Sequence, residues 1–177
     1  MNKISQYIFS TVLGLVVFFF WIILHPYDLS FQEQNQLFLF TWDYFVERIA
    51  VCGGLADYFA EFITQFNYIP YLGKALMALL FVIFQILTSA SICRKEWYVL
   101  SFITPVMMLV YMNDIYVMLC YLIALIIAVS MCALYRRYPG LLWAVIATVL
   151  GYWLIGPAIF VFTLFTVLRE RNWNSLI

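Results

Sequence analysis

The chain has 177 residues, of which 67% are hydrophobic, 20% aromatic and only 10% charged, with a formal net charge of zero. A soluble domain carries about 25% charged residues; with a mean hydropathy of +0.99, this one holds more apolar surface than so short a chain can bury, which excludes a water-soluble globular domain. The balanced charge gives no reason to expect a nucleic-acid partner.

A helix crosses a bilayer with about 20 apolar residues. The first such run is Tyr7–Leu24. His25-Pro26 follows it with no small-residue cleavage site, so it reads as an uncleaved anchor. A long loop, residues 26–68, comes next. Within it Gln32, Gln36, Asp43 and Glu47 fall on one helical stripe, with Leu37, Phe40, Tyr44 and Phe45 around the other side. Gly53-Gly54 breaks the pattern and reads as a hinge. A second helix then sets Asp57, Glu61 and Gln65 opposite Leu55, Phe59, Phe62 and Phe66. Two amphipathic helices with aromatic faces are expected to lie along the membrane surface, with their carboxylates as a wet face.

Three further spans follow: Ala75–Ile92, Trp97–Met112 and Ile115–Tyr135. The tail, Leu141–Leu168, is too long for one upright span. Ile155-Gly156-Pro157 divides it, so two shortened helices are expected, with one tilted helix as the alternative. The expected fold is all-α: one polytopic membrane domain over residues 1–177, with about six transmembrane helices, the last two short. No linker or fixed-period repeat divides it.

Lys3, Arg94, Lys95, Arg136, Arg137, Arg169 and Arg171 then fall on one side, leaving Arg48 and Lys74 on the other. The positive-inside rule makes the richer side cytoplasmic. Both termini are expected there, in a bacterial inner membrane, with the loop 26–68 outside. The four cysteines, Cys52, Cys93, Cys120 and Cys132, have no CxxC spacing, and a single histidine excludes a His-rich zinc site. No GxSxG, P-loop or GxGxxG occurs. No span carries a charge at mid-depth, which argues against an ion-coupled transporter. Gln85, mid-span, is expected to bond a neighbouring helix.

Asp28 stands four residues after the first span, and Asn113-Asp114 forms a tight turn between the third and fourth. If these loops converge, Asp28 and Asp114 are candidate catalytic residues. They are also candidate ligands for Mg or Mn, which bind through carboxylates and substrate phosphate; either acid alone suits a general base. Read plainly, both are loop and turn acids. Arg48 and Lys74 are placed to hold a lipid phosphate. Their plain readings are pairing with Tyr44 or a nearby acid, and snorkelling.

The run QEQNQLFLFTWDYFVERIAVCGGLADYFAEFITQFNYIPYLGKA resembles the extracytoplasmic loop of a multi-pass family of Bacteroidota, a domain of unknown function. NQLFLFTWDYF and GGLADYFAEF carry the likeness most specifically, and it extends over essentially the whole chain. In that family a proline is usual where Cys52 stands here. Its members are longer, which implies that this chain is an N-terminal portion with a C-terminal portion missing. The order of elements is also similar to the N-terminal half of GT-C glycosyltransferases. That resemblance implies an enzyme moving a sugar from a polyprenyl-phosphate donor, with Asp28 and Asp114 matching the acids of its first two outer loops. The alternative is a non-catalytic membrane subunit whose outer helices dock a protein partner.

Overall fold

The computed structural model describes residues 3–69, 71–92 and 95–174, with side chains for 5–69, 71–92 and 97–170. Cys93, Arg94 and the side chains of Lys3, Lys95 and Arg171, on which part of the expected charge split rests, lie outside the described residues.

The described residues are helical and include no strand. Four stretches are long and apolar enough to cross a membrane: Ser5–Ile23, Leu72–Ser91, Leu119–Arg137 and Leu141–Glu170. The first lies in α1 (Lys3–Ile23), which stops just short of Pro26, whose ring denies the backbone a donor. The loop after it holds three helices, where two were expected. These are α2 (Asp28–Asn35), α3 (Trp42–Ile49) and α4 (Gly54–Thr64). The helical period of the sequence continues through residues 36–41, but the chain is extended at Gln36 and Thr41. The Gln36 carbonyl accepts from Gln65 Nε2, and the Leu37 carbonyl faces the Tyr44 hydroxyl. Both acceptors are therefore used across the loop instead of along a helix. Thr41 then caps α3 through its hydroxyl, which accepts from the Tyr44 N–H at 3.3 Å.

The rest of the chain forms α5 (Leu72–Ser91), a 3₁₀ run over Lys95–Phe102 leading into α6 (Ile103–Tyr111), then α7 (Leu119–Arg137), α8 (Leu141–Ile155) and α9 (Ile159–Asn174). α7 begins later than hydropathy suggests, because residues 112–118 form a loop that other elements grip. α7 is the central helix and packs on α4, α5, α8 and α9; α1 packs on α5. α4 packs on α7, and its Ala56, Ala60 and Thr64, spaced by four, are buried. Small residues in this spacing let two helices approach closely.

The tail folds back on itself. Thr148 and Thr163 hydroxyls lie 3.5 Å apart, whereas fifteen residues of continuous helix would hold them about 22 Å apart. Gly156, at φ +66°, and Pro157 make the turn. Of the two readings left open by the sequence, the hairpin is the one found. Gln85 is fully buried; it accepts from Ser10 of α1 at 2.7 Å and donates to Ser101 at 2.9 Å.

These contacts define two ends of the bundle. At one end, Gly53 N–H donates to the Trp153 carbonyl and Gln32 donates to the Val117 carbonyl. The long loop, residues 112–118 and the tail turn therefore gather there. At the other end, Arg136 donates to the Ala90 and Ile92 carbonyls, Arg169 to that of Arg136, and Tyr135 to Glu170.

Candidate functional site

The first polar junction forms where the chain leaves α1. His25 sits at the end of that helix with its ring 4.9 Å from Phe20 and 5.8 Å from Trp21. Its Nδ1 is 2.5 Å from Asp28 Oδ2, and its Nε2 is 2.9 Å from Asn113 Oδ1. His25 thus ties the loop after α1 to the loop between α6 and α7. The contact between these loops is made by His25 and Asn113, neither of them among the expected site residues. Asp114 makes a local turn, its Oδ1 accepting from the Tyr116 N–H at 3.0 Å. For Mg or Mn, Asp28, Asp114 and the Asn113 amide are right in kind, being hard oxygens. They are few in number: among the described residues no three His, Cys, Asp or Glu side chains are grouped to hold a metal ion. Substrate oxygens and water would have to complete the shell.

The second polar group spans the Gly53-Gly54 turn. Arg48 Nη2 lies 2.6 Å from Glu61 Oε1, and Tyr44 Oη lies 2.5 Å from Glu61 Oε2. Arg48 also donates to Tyr44 Oη from Nε and Nη2, at 3.1 and 3.0 Å. Glu61, expected on a wet face, is buried, while Phe59 and Phe62 on the other side of α4 are exposed. Burial, and then the bond to Glu61, push the Tyr44 phenol above its ordinary pKa. Burial works against the Arg48 charge, but Tyr44 and Glu61 outweigh it, so its pKa rises. Arg48 therefore has an acid of its own beside it. Lys74 stands apart from this group, 5.7 Å from the Tyr71 ring centre.

Beneath these helices the polar cleft, about 470 Å³, is walled by Asn35, Gln36, Tyr44, Arg48, Asp57 and Glu61. A second, more apolar cavity of about 500 Å³ shares Asp57 and Cys120 with it as lining residues. That cavity runs between α6, α7 and the tail turn, along Met108, Tyr111, Tyr121, Leu125 and Pro157. Sequence reasoning missed Asp57 and Glu61 as site residues, since each looks like one more surface acid. The available signal was Tyr44 and Arg48, one helical turn apart and both facing an acid across a Gly-Gly break.

Against known proteins, residues 1–177 match a family of unknown function, DUF6057. The chain belongs to that family. No curated protein and no solved structure matches the chain. The DUF6057 match covers both polar groups and the cavities, so all of these features lie within the family's domain.

Proposed function

We propose that this DUF6057 chain is a six-crossing bacterial inner-membrane protein, both termini cytoplasmic, whose outer end acts on a lipid-linked substrate. The observation that carries the reading is His25 bonded to both Asp28 and Asn113. It joins the two outer loops whose acids the GT-C-like order of elements assigns to chemistry. In this reading Asp28 is the base. His25 holds Oδ2, which leaves Oδ1 outside that bond and able to take a proton. The acceptor hydroxyl gives up its proton to Asp28 as its oxygen bonds the sugar's anomeric carbon. The bond from that carbon to the phosphate oxygen breaks, and polyprenyl phosphate leaves. In place of the base role, Asp28 could with Asp114 hold a Mg or Mn ion, which would supply charge neutralisation for that phosphate. Lys74 is the better placed cation for the phosphate, because Arg48 is already paired with Glu61.

The alternative is a non-catalytic subunit docking a protein partner, and a specific surface favours it. Leu37, Phe40 and Trp42 lie close together in sequence on the long loop and are 73%, 85% and 73% exposed. The test separates the two readings. Membranes containing the chain are given a polyprenyl-phosphate-linked sugar, and release of polyprenyl phosphate is followed. Release that falls at least about tenfold in Asp28→Asn and His25→Gln supports the enzyme; the effect of a positioned base is typically 10²–10⁴-fold. No release by the unaltered chain, or release untouched by both substitutions, overturns it.

A further inference from the structure

A third cavity, about 230 Å³, lies between α2 and the loop of residues 112–118. Phe31, Gln32, Asn35 and Gln36 border it from one side, Tyr116 and Met118 from the other. Among the described residues no charged side chain walls it. Gln32 is only 5% exposed, and its Nε2 grips the loop, donating to the Val117 carbonyl at 2.9 Å and to that of Ile115 at 3.4 Å. Both bonds are made by nitrogen, so Gln32 Oε1 is left without a donor among the described residues. That oxygen is not sealed in the packing as Gln36 Oε1 is, and the cavity is the open space that Gln32 borders. Gln36 is the converse: with Oε1 sealed, its Nε2 is the atom left open. Asn35 is fixed by its Nδ2, which donates to the Phe31 carbonyl at 2.8 Å, and keeps Oδ1 for a ligand.

The cavity therefore offers two acceptors and one donor on neutral amides, beside the rings of Phe31 and Tyr116. A phosphate or carboxylate would find no cation there, and an ammonium no acid, so a charged group would be desolvated without compensation. A hydroxyl suits both kinds of amide atom, because it donates once and accepts twice. A ring with hydroxyls on its edge and C–H groups on its faces satisfies the amides and the aromatic rings together. The volume admits one such ring, since pockets for drug-sized ligands are about 300–1,000 Å³. A peptide, also neutral, is usually taken up along a strand edge or an extended groove, and the walls here are a short helix and a loop.

The placement connects this cavity to the acid–base junction. Asp28 opens α2 one helical turn before Gln32, and Asp114 holds the Tyr116 N–H. α7, long enough to cross a membrane, begins at Leu119, directly after Met118. A ring carried by a membrane lipid is presented at that level. We infer that this cavity holds the sugar of the lipid-linked donor and that the sugar is uncharged, a neutral hexose or pentose. Its hydroxyls donate to Gln32 Oε1 and Asn35 Oδ1 and accept from Gln36 Nε2, and its C–H face lies against Tyr116. The sugar's role as donor rests on the transfer reading above; its binding is measured without turnover.

The test uses the full chain in a polyoxyethylene detergent, which brings no sugar. Methyl glycosides of glucose, galactose, mannose and xylose are compared, by saturation-transfer NMR, with methyl glucuronide, protonated methyl glucosaminide and tetrahydropyran. At least one neutral glycoside should bind about tenfold more tightly than the charged pair and the bare ring, the scale of one polar group left unpaired. Asn35→Leu and Tyr116→Ala alter exposed positions and should each weaken that binding about tenfold. Asp28→Asn should leave it in place, because Asp28 does not border the cavity. Glycoside binding with no release of polyprenyl phosphate would keep the sugar site and remove the transfer reading. Release whose KM is untouched by Asn35→Leu and Tyr116→Ala would keep the transfer and overturn the cavity. Absence of binding by every neutral glycoside, equal binding of the charged ones, or binding indifferent to both substitutions would also overturn it.

Discussion

Gly53 donates its backbone N–H to the carbonyl of Trp153 at 2.7 Å, joining the middle of the long loop to the tail turn one hundred residues later. Gly53 also touches Gly156 backbone to backbone. A Cβ added to either glycine would come no nearer than 3.7 Å to the other's atoms, an ordinary contact. Space does not demand glycine at these two positions. Conformation does, since φ is +88° at Gly53 and +66° at Gly156.

Gly54 differs from its neighbour, and the pair gives the first prediction. A Cβ at Gly54 would fall 1.7 Å from the Arg48 carbonyl oxygen and 2.6 Å from its carbon, which are backbone atoms. No side-chain rotation relieves that overlap. Gly53→Ala should cost about 1–2 kcal/mol, the left-handed penalty alone. Gly54→Ala should cost clearly more and should lower the yield of folded protein. Thermal unfolding in detergent checks the order; equal melting of the two variants would mean that the turn is not packed as described.

The Arg48–Glu61 pair gives an asymmetry. The Arg48 side chain is 39% exposed and can reach water if its partner is lost, whereas Glu61 is 11% exposed and cannot easily do so. Arg48→Ala should therefore destabilise by about 1–3 kcal/mol, the cost of a stranded buried group. Glu61→Ala should cost less, and the double variant should be milder than Arg48→Ala. A double-mutant cycle measures this. Additive losses would argue against coupling.

Gln85 gives a small number where a large one might be expected. Gln85→Leu removes the bonds to Ser10 and Ser101. Each hydroxyl keeps a backbone acceptor, Ser10 the Gln6 carbonyl and Ser101 the Tyr98 carbonyl. The cost should be about 1 kcal/mol or less, as is usual for polar pairs between membrane helices. A loss of several kcal/mol would show that Gln85 organises the whole α1–α5 contact.

Hydropathy made α1, α5 and α7 legible, because their apolar runs are as long as a bilayer is thick. The pairing of His25 with Asn113 was not legible, since nothing local marks which loop a lone histidine will meet. The break at residues 36–41 was hidden for another reason. QLFLF contains neither Gly nor Pro, and its apolar spacing suits a helix; only the cap at Thr41 announces the restart. Glu61 was misread because the helical face opposite the aromatics was taken to be the wet one. An acid on an amphipathic helix is buried when a cation and a phenol reach it, and that depends on how the chain turns at Gly53-Gly54. The tail hairpin was half visible in Gly156-Pro157. What decides it is the contact between Thr148 and Thr163, which a hydropathy scan cannot show.

The last prediction concerns which way the bundle faces. Arg136, Arg137 and Arg169 gather at the end away from Cys52, Arg48 and Lys74, as the contacts of Arg136 and Arg169 with Ala90, Ile92 and each other establish. Cys52 is exposed. Basic residues are retained on the cytoplasmic side, so Cys52 should be modified by a membrane-impermeant maleimide in intact spheroplasts. A cysteine replacing Arg137 should be modified only after lysis. Arg137 is the better position to alter, because Arg136 holds two carbonyls of α5 and its loss would disturb the end being probed. Arg169→Cys should behave like Arg137→Cys, since the tail returns to the end it left. Peptide mapping separates Cys52 from the native thiols of α7. The reversed pattern would invert the protein and move the Asp28 junction inside. Outside labelling at residue 169 but not at residue 137 would mean that the tail crosses once, against the hairpin.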